Sequence, residues 1–147
     1  MLVYREMTQE DIPACAELEI ECFSQPWSPE ALESAMKIGN TAFFVGENEG
    51  EIVGYGGVQC FAPDGAVTNI AVCENCRGRG IGKGILKCLL DHCEKIGINN
   101  LTLEVRLSNT PAIKLYENHG FKILGIRKGF YANPVEDAYI MQKKVGL

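Results

Sequence analysis

Asn69-Ile70-Ala71-Val72, followed after four residues by Arg77-Gly78-Arg79-Gly80-Ile81-Gly82-Lys83-Gly84, is the stretch that decides the fold. Asn69 to Val72 reads as the end of a β run, and Ile81, Ile85, Leu86, Leu89 and Leu90 fall on one face of a helix. A strand therefore passes into a helix through a glycine-rich loop, where the first main-chain N–H groups of the helix lack partners. Such a loop binds anions, because glycine permits close backbone approach and the helix dipole adds positive potential. Counting residues removes two phosphate loops. A Walker A loop needs Ser or Thr where Gly84 stands and its first glycine where Arg77 stands. The dinucleotide G-x-G-x-x-G fails at its third glycine, which would fall on Lys83 or Ile85. What remains is Arg-x-x-Gly-x-Gly at Arg77, Gly80 and Gly82. The alternative use of the glycines is a tight strand-to-helix turn.

Working outward, Leu2 to Arg5 reads as a first strand, and Thr8 with Asp11 forms a helix-start signal ahead of Ile12, Cys15, Leu18 and Cys22. Ser28-Pro29 starts a second helix that Gly39 stops. Thr41–Val45, Ile52–Phe61 and Ala66–Val72 are β runs separated by Asn48-Glu49-Gly50 and Pro63-Asp64-Gly65. Beyond the Ile81–Ile96 helix come a strand at Leu101–Val105, a helix from Thr110-Pro111 through Tyr116, and β segments over Phe121–Arg127 and Glu136–Gln142. The order β-α-α-β-β-β-α-β-α-β-β predicts an α/β protein with a mixed sheet covered by helices, a single domain over residues 1–147.

Composition narrows the function. The 147 residues are 46% apolar and 22% charged, with no apolar run near the roughly 18 residues of a membrane span. Fourteen Lys and Arg against 19 Asp and Glu give a net charge of -5, which disfavours a protein that binds nucleic acid through its phosphates. Met1 to Glu6 has neither a basic start nor a long apolar core, so no secretory signal is read and a cytoplasmic location is expected. Seven cysteines fit reduced thiols better than a disulfide framework. Cys73 and Cys76 have the spacing of half a zinc site, but Cys88 and Cys93 would stand roughly 140° apart on a helix and complete nothing. No metal is expected.

The Arg77-Gly80-Gly82 pattern after Asn69–Val72 resembles the acetyl-coenzyme A motif of the GCN5-related N-acetyltransferases. Leu103-Glu104-Val105-Arg106-Leu107-Ser108-Asn109, Ala112 to Glu117, Gly120-Phe121, Phe130-Tyr131, Glu136-Asp137-Ala138 and Pro26-Trp27-Ser28 resemble the ribosomal-protein-alanine (RimI) type of that family, from Leu2 to Met141. Phe130 stands where that type usually has tyrosine, and Cys73-Glu74 occupies the loop entry. The resemblance implies an acetyl-CoA site with the backbone of Ile70, Ala71 and Val72 on the pantetheine arm. It places Arg77, Gly78, Arg79, Gly80, Ile81, Gly82 and Lys83 at the pyrophosphate, and Asn109 on the cofactor. Capping of the next helix is the other use of Asn109.

Acetyl transfer to an amine needs a neutral nucleophile, a polarised carbonyl and a proton for the departing thiolate. Glu104 ends an apolar strand, where partial desolvation would suit a base, although pairing with Arg106 is an equal reading of the residues. Tyr116 reads as core by composition. The resemblance implies Glu104 as general base and Tyr116 as general acid, with a main-chain N–H near Val72 on the carbonyl. His92 and His119 are not placed for either role. Trp27, Tyr131 and Glu136, with Asp137, are expected beside the acceptor, a protein N-terminus beginning with alanine and followed by basic residues, of the kind found on small-subunit ribosomal proteins. Acetylation of lysine or a small amine, or a non-catalytic acyl-CoA module, are the alternatives.

Overall fold

The computed structural model describes residues 1–145. Its elements follow the expected order: β1 (Leu2–Glu6), α1 (Ile12–Cys22), α2 (Pro29–Ile38), β2 (Thr41–Asn48), β3 (Glu51–Phe61), β4 (Asp64–Val72), α3 (Ile81–Lys95), β5 (Asn100–Arg106), α4 (Thr110–Asn118), β6 (Lys122–Tyr131) and β7 (Glu136–Lys144). The start signals act as their chemistry requires. The Asp11 carboxylate accepts from the Thr8 amide at 2.8 Å and from its hydroxyl at 3.1 Å, and Ser28 Oγ accepts from the Ala31 amide at 3.1 Å.

The seven strands make one sheet in the order β1-β2-β3-β4-β5-β7-β6. Every pairing is antiparallel except β4 with β5, which α3 connects as a crossover. That parallel ladder is short: Asp64 faces Asn100, Gly65 faces Leu101 and Ala66 faces Thr102. Immediately beyond, the β3–β4 register slips, with Gly57 opposite Asn69 and Val58 opposite Val67, so Thr68 is an extra residue that bends β4. The two strands share no ladder past this bulge. An opening results, with Val67–Val72 on one wall and Leu103–Arg106 on the other.

Side chains of alternating direction build a core on each face. Ala42 and Phe44 pack with α3 and α4, in a cluster that includes Ile81, Ile85, Leu86, Leu89, Leu101, Leu103, Val105, Tyr116 and Phe121. Phe43 and Val45 point the other way, toward α1 and α2, among Ile12, Cys15, Leu18, Leu32 and Tyr55. Ile85, Leu86 and Leu89 are wholly buried, and each such side chain contributes about 1.5–3 kcal/mol to folding. That burial holds α3, and hence the glycine loop at its start, against the end of β4.

Candidate active site

The glycine loop delivers its main-chain donors to the opening. Gly84 N donates to Gly80 O at 3.0 Å as the first helical bond of α3, so the amides of Ile81, Gly82 and Lys83 have no chain acceptor among the described residues. Gly78 and Gly80 hold φ of 82° and 79°, the left-handed region that a side chain strains to adopt. Gly84 is glycine for another reason: a Cβ there would lie 2.0 Å from the Tyr4 ring. Gly82 alone of the four is required by neither conformation nor packing, since its Cβ would meet Leu115 and Val72 at ordinary contact distances. A bare backbone at Gly82 therefore suits something outside the chain.

The wall formed by β4 divides its polar groups by alternation. Cys73 N donates to Val53 O, and in that register Ala71 also turns its N–H and C=O to β3, whereas Ile70 and Val72 turn theirs to the open side. This corrects the expectation for Ala71, whose backbone is already spent. Val72 O is in use as well, accepting from Cys22 Sγ at 3.4 Å and from Arg77 Nε at 3.2 Å. Arg77, expected at the pyrophosphate, ties the loop to β4 and also reaches Cys22 Sγ at 3.3 Å. Arg79 and Lys83 are exposed beside the loop. Asn109 caps α4, its Oδ1 accepting from Ala112 N at 3.3 Å, while its Nδ2 has no acceptor among the described residues.

On the other wall, β5 buries Leu101, Leu103 and Val105 and turns Thr102, Glu104 and Arg106 to the opposite face. Glu104 keeps a side-chain exposure of 28%, and Arg127 Nη2 of β6 lies 4.0 Å from it. Arg106 is not its partner. That guanidinium bonds Glu136 at 3.2 Å and the carbonyls of Pro134 and Ala132, and it lies 4.5 Å from the Tyr131 ring centre. Burial and the nearby Glu104 carboxylate push the Tyr131 hydroxyl up to about 12. Burial first, and the Tyr131 hydroxyl second, raise the Tyr116 pKa above its ordinary value. The Tyr116 ring packs edge-on against Phe121 at 5.7 Å. Its hydroxyl bonds no group among the described residues and is not sealed from solvent. Glu104 thus stands on the open wall of β5, and Tyr116 in the core of α4.

The acceptor-side expectations fare unevenly. Trp27, on the α1–α2 loop, packs edge-on against Phe43 at 6.3 Å as a half-buried core residue. Glu136 offers no unengaged acid: it accepts from Ser108 N at 2.7 Å, Ser108 Oγ at 3.0 Å and Arg106, and the Ser108 hydroxyl bond holds its carboxyl below the usual range. Asp137 likewise accepts from Gly129 N at 2.8 Å. These bonds fix the β6–β7 turn, and Ser24 Oγ of the α1–α2 loop donates to Ala132 O of that turn at 3.0 Å. A groove of about 470 Å³, lined by Met36, Phe43, Cys60, His92 and Ile98, lies elsewhere at the sheet end. The run of main-chain donors at Ile81, Gly82 and Lys83 lies at the β4–β5 opening instead. Among the described residues no three His, Cys, Asp or Glu side chains are grouped to hold a metal ion.

Sequence reasoning missed Glu19, an acid with 1% exposure. The signal was present: Cys15, Glu19 and Cys22 follow helical spacing on the buried side of α1, so a carboxylate there needs partners.

Residues 12–121 match the acetyltransferase (GNAT) family. The chain belongs to that family. Among its relatives, the Escherichia coli K12 [ribosomal protein bS18]-alanine N-acetyltransferase is 33% identical over 139 residues, 93% of each chain. The N-alpha-acetyltransferase RimI of Mycobacterium tuberculosis is 33% identical over 146 residues, 95% of this chain and 90% of its own. The crystal structure of the ribosomal-protein-S18-alanine N-acetyltransferase from Escherichia coli superposes with a TM-score of 0.91 at 31% identity, covering 100% of this chain and 96% of that one. The mixed sheet with four helices is accordingly the GNAT fold.

Proposed function

We propose that this GNAT chain, as one N-acetyltransferase domain over residues 1–147, transfers acetyl from acetyl-CoA to the α-amine of a protein that begins with alanine, a ribosomal protein of the small subunit. The observation that carries the reading is the opening between β4 and β5, which has unpaired main-chain donors at the start of α3 on one side and the half-exposed Glu104 of β5 on the other. The Escherichia coli relative and the Escherichia coli crystal structure named above are ribosomal protein S18-alanine N-acetyltransferases, which supports the acceptor. No helix among the described residues is long and apolar enough to cross a membrane, and a cytoplasmic acceptor is consistent with that.

The donor set fits acetyl-CoA. The amides of Ile81, Gly82 and Lys83, with Gly78, Arg79 and Gly80, hold the pyrophosphate at the positive end of α3. The open-side groups of Ile70 bond the pantetheine arm, and Asn109 Nδ2 adds a donor from α4. Acetyl-CoA supplies the activated acyl group as a thioester. The Val72 N–H polarises the acyl carbonyl as an oxyanion donor does. Glu104 accepts the proton of the attacking amine, and Tyr116, kept protonated by burial, gives its proton to the departing sulfur.

The acceptor follows from proton arithmetic. At pH 7 roughly one α-amine in ten is neutral against roughly one lysine in 2,500, so a modest base suffices for an N-terminus. A peptide starting with alanine and followed by arginines is expected to release coenzyme A about tenfold faster, or more, than the same peptide with a blocked N-terminus and one lysine. A faster reaction on the blocked lysine peptide would replace the N-terminal reading with a lysine one.

A further inference from the structure

Glu19 is the carboxylate the mechanism leaves unused. It is 1% exposed, and none of its three donors carries a positive charge. Oε1 accepts from the Trp27 main-chain N–H at 2.9 Å. Oε2 accepts from the Tyr55 hydroxyl of β3 and from Asn69 Nδ2 of β4. Asn69 also donates to Tyr55 Oη at 3.2 Å and accepts from Thr68 Oγ1 at 2.9 Å. Burying a carboxylate is costly, and a wholly apolar replacement of a buried polar cluster is often neutral or better for stability. The position is suited to Glu because an ionised carboxylate accepts on both oxygens and owns no competing donor, which three converging donors require.

The placement of those donors has a consequence. Asn69 adjoins the bulge at Thr68, where β4 leaves β5 and the opening begins. Trp27 ends the α1–α2 loop, and Ser24 of the same loop donates to Ala132 O beside Tyr131 and accepts from Arg106. Ile70 and Val72 take their positions from β3, opposite Gly56 and Gly54. We infer that Glu19 is a positioning residue that brackets the acceptor-side loop to the root of the opening, setting the space in which the acceptor peptide lies. The inference rests on the acetyl-transfer reading for its kinetic consequence, and on geometry alone for the bracket.

Trp27 is the chain's single tryptophan, so its fluorescence reports the loop directly. In Glu19→Ala, iodide quenching of Trp27 is expected to rise about threefold and the KM of the alanine-starting peptide about tenfold, while the acetyl-CoA dissociation constant changes less than about threefold. The swap Glu19→Gln with Asn69→Asp reverses the polarity of the bond: glutamine accepts from Trp27 and donates to the new carboxylate, which also accepts from Tyr55 and Thr68. It should bring quenching and KM back toward the parent values. Unchanged quenching and KM in folded Glu19→Ala, or a parallel loss of acetyl-CoA affinity, would overturn the inference. If Glu19→Ala does not fold, Tyr55→Phe and Asn69→Ala each remove one donor and should show intermediate rises; parent-like quenching and KM in both would overturn it equally. A parent protein that acetylates no α-amine removes the transfer reading, while the quenching comparison still decides the bracket.

Discussion

Glu104 and Tyr116 stand twelve positions apart, one on the open face of β5 and one in the core of α4, and the proposed mechanism gives each its own proton to move. Glu104→Gln is expected to lower turnover on the peptide α-amine by roughly 10²- to 10⁴-fold at neutral pH, with the deficit shrinking as pH rises and the amine loses its proton unaided. Steady-state rates across pH check this, and equal turnover at pH 7 would remove Glu104 from the chemistry. Burial raises the Tyr116 pKa, so the phenol remains the proton donor through neutral and alkaline solution. The parent kcat should then show no alkaline fall below about pH 10, and Tyr116→Phe should slow transfer without loss of thermal stability. Composition marks Tyr116 as core and family resemblance marks it as an acid; both describe it, since its ring packs on Phe121 while its hydroxyl stays at the boundary. The sequence around Glu136 presents it as a surface acid for the acceptor. No local pattern announces that Ser108 and Arg106, nearly thirty residues away, consume its lone pairs.

At the scale of elements, the four glycines of the α3 entry do different work, and substitution separates them. Gly84→Ala forces Cβ into the Tyr4 ring and should destabilise the fold by about 1–3 kcal/mol while leaving the cofactor amides in place. Gly82→Ala meets only ordinary contacts with Leu115 and Val72 and gains helix propensity, up to about 1 kcal/mol, yet on the proposed pyrophosphate contact it should weaken acetyl-CoA binding by thickening the backbone there. Thermal unfolding with and without acetyl-CoA distinguishes the two: a lower midpoint with a preserved ligand shift for the first, an equal or higher midpoint with a reduced shift for the second. The elements themselves were legible, because helical and strand periodicity, Ser28-Pro29 and the glycine stops are local signals. The strand order was not. The opening depends on one extra residue, Thr68, and threonine is an ordinary strand residue with nothing in its neighbours to mark a bulge.

Over the whole molecule, charge is segregated. Residues 1–64 hold 12 of the 19 acids and 2 of the 14 Lys and Arg, so the side built from α1 and α2 attracts cations while the α3 entry, with Arg77, Arg79 and Lys83, attracts anions. An acidic field draws in a basic acceptor peptide and is screened by salt. The KM of an arginine-rich alanine peptide should therefore rise several-fold between about 0.05 and 0.5 M salt, and that of an uncharged alanine peptide should not. The central claim is that acetyl-CoA lies across the β4–β5 opening with its phosphates on the start of α3. Amide hydrogen exchange with and without acetyl-CoA tests it most directly. The account predicts new protection at Ile70, Val72, Ile81, Gly82 and Lys83, with Ala71 protected equally in both states by its bond to β3. Protection gained instead around Met36, Phe43 and Ile98, in the groove at the other end of the sheet, would contradict it.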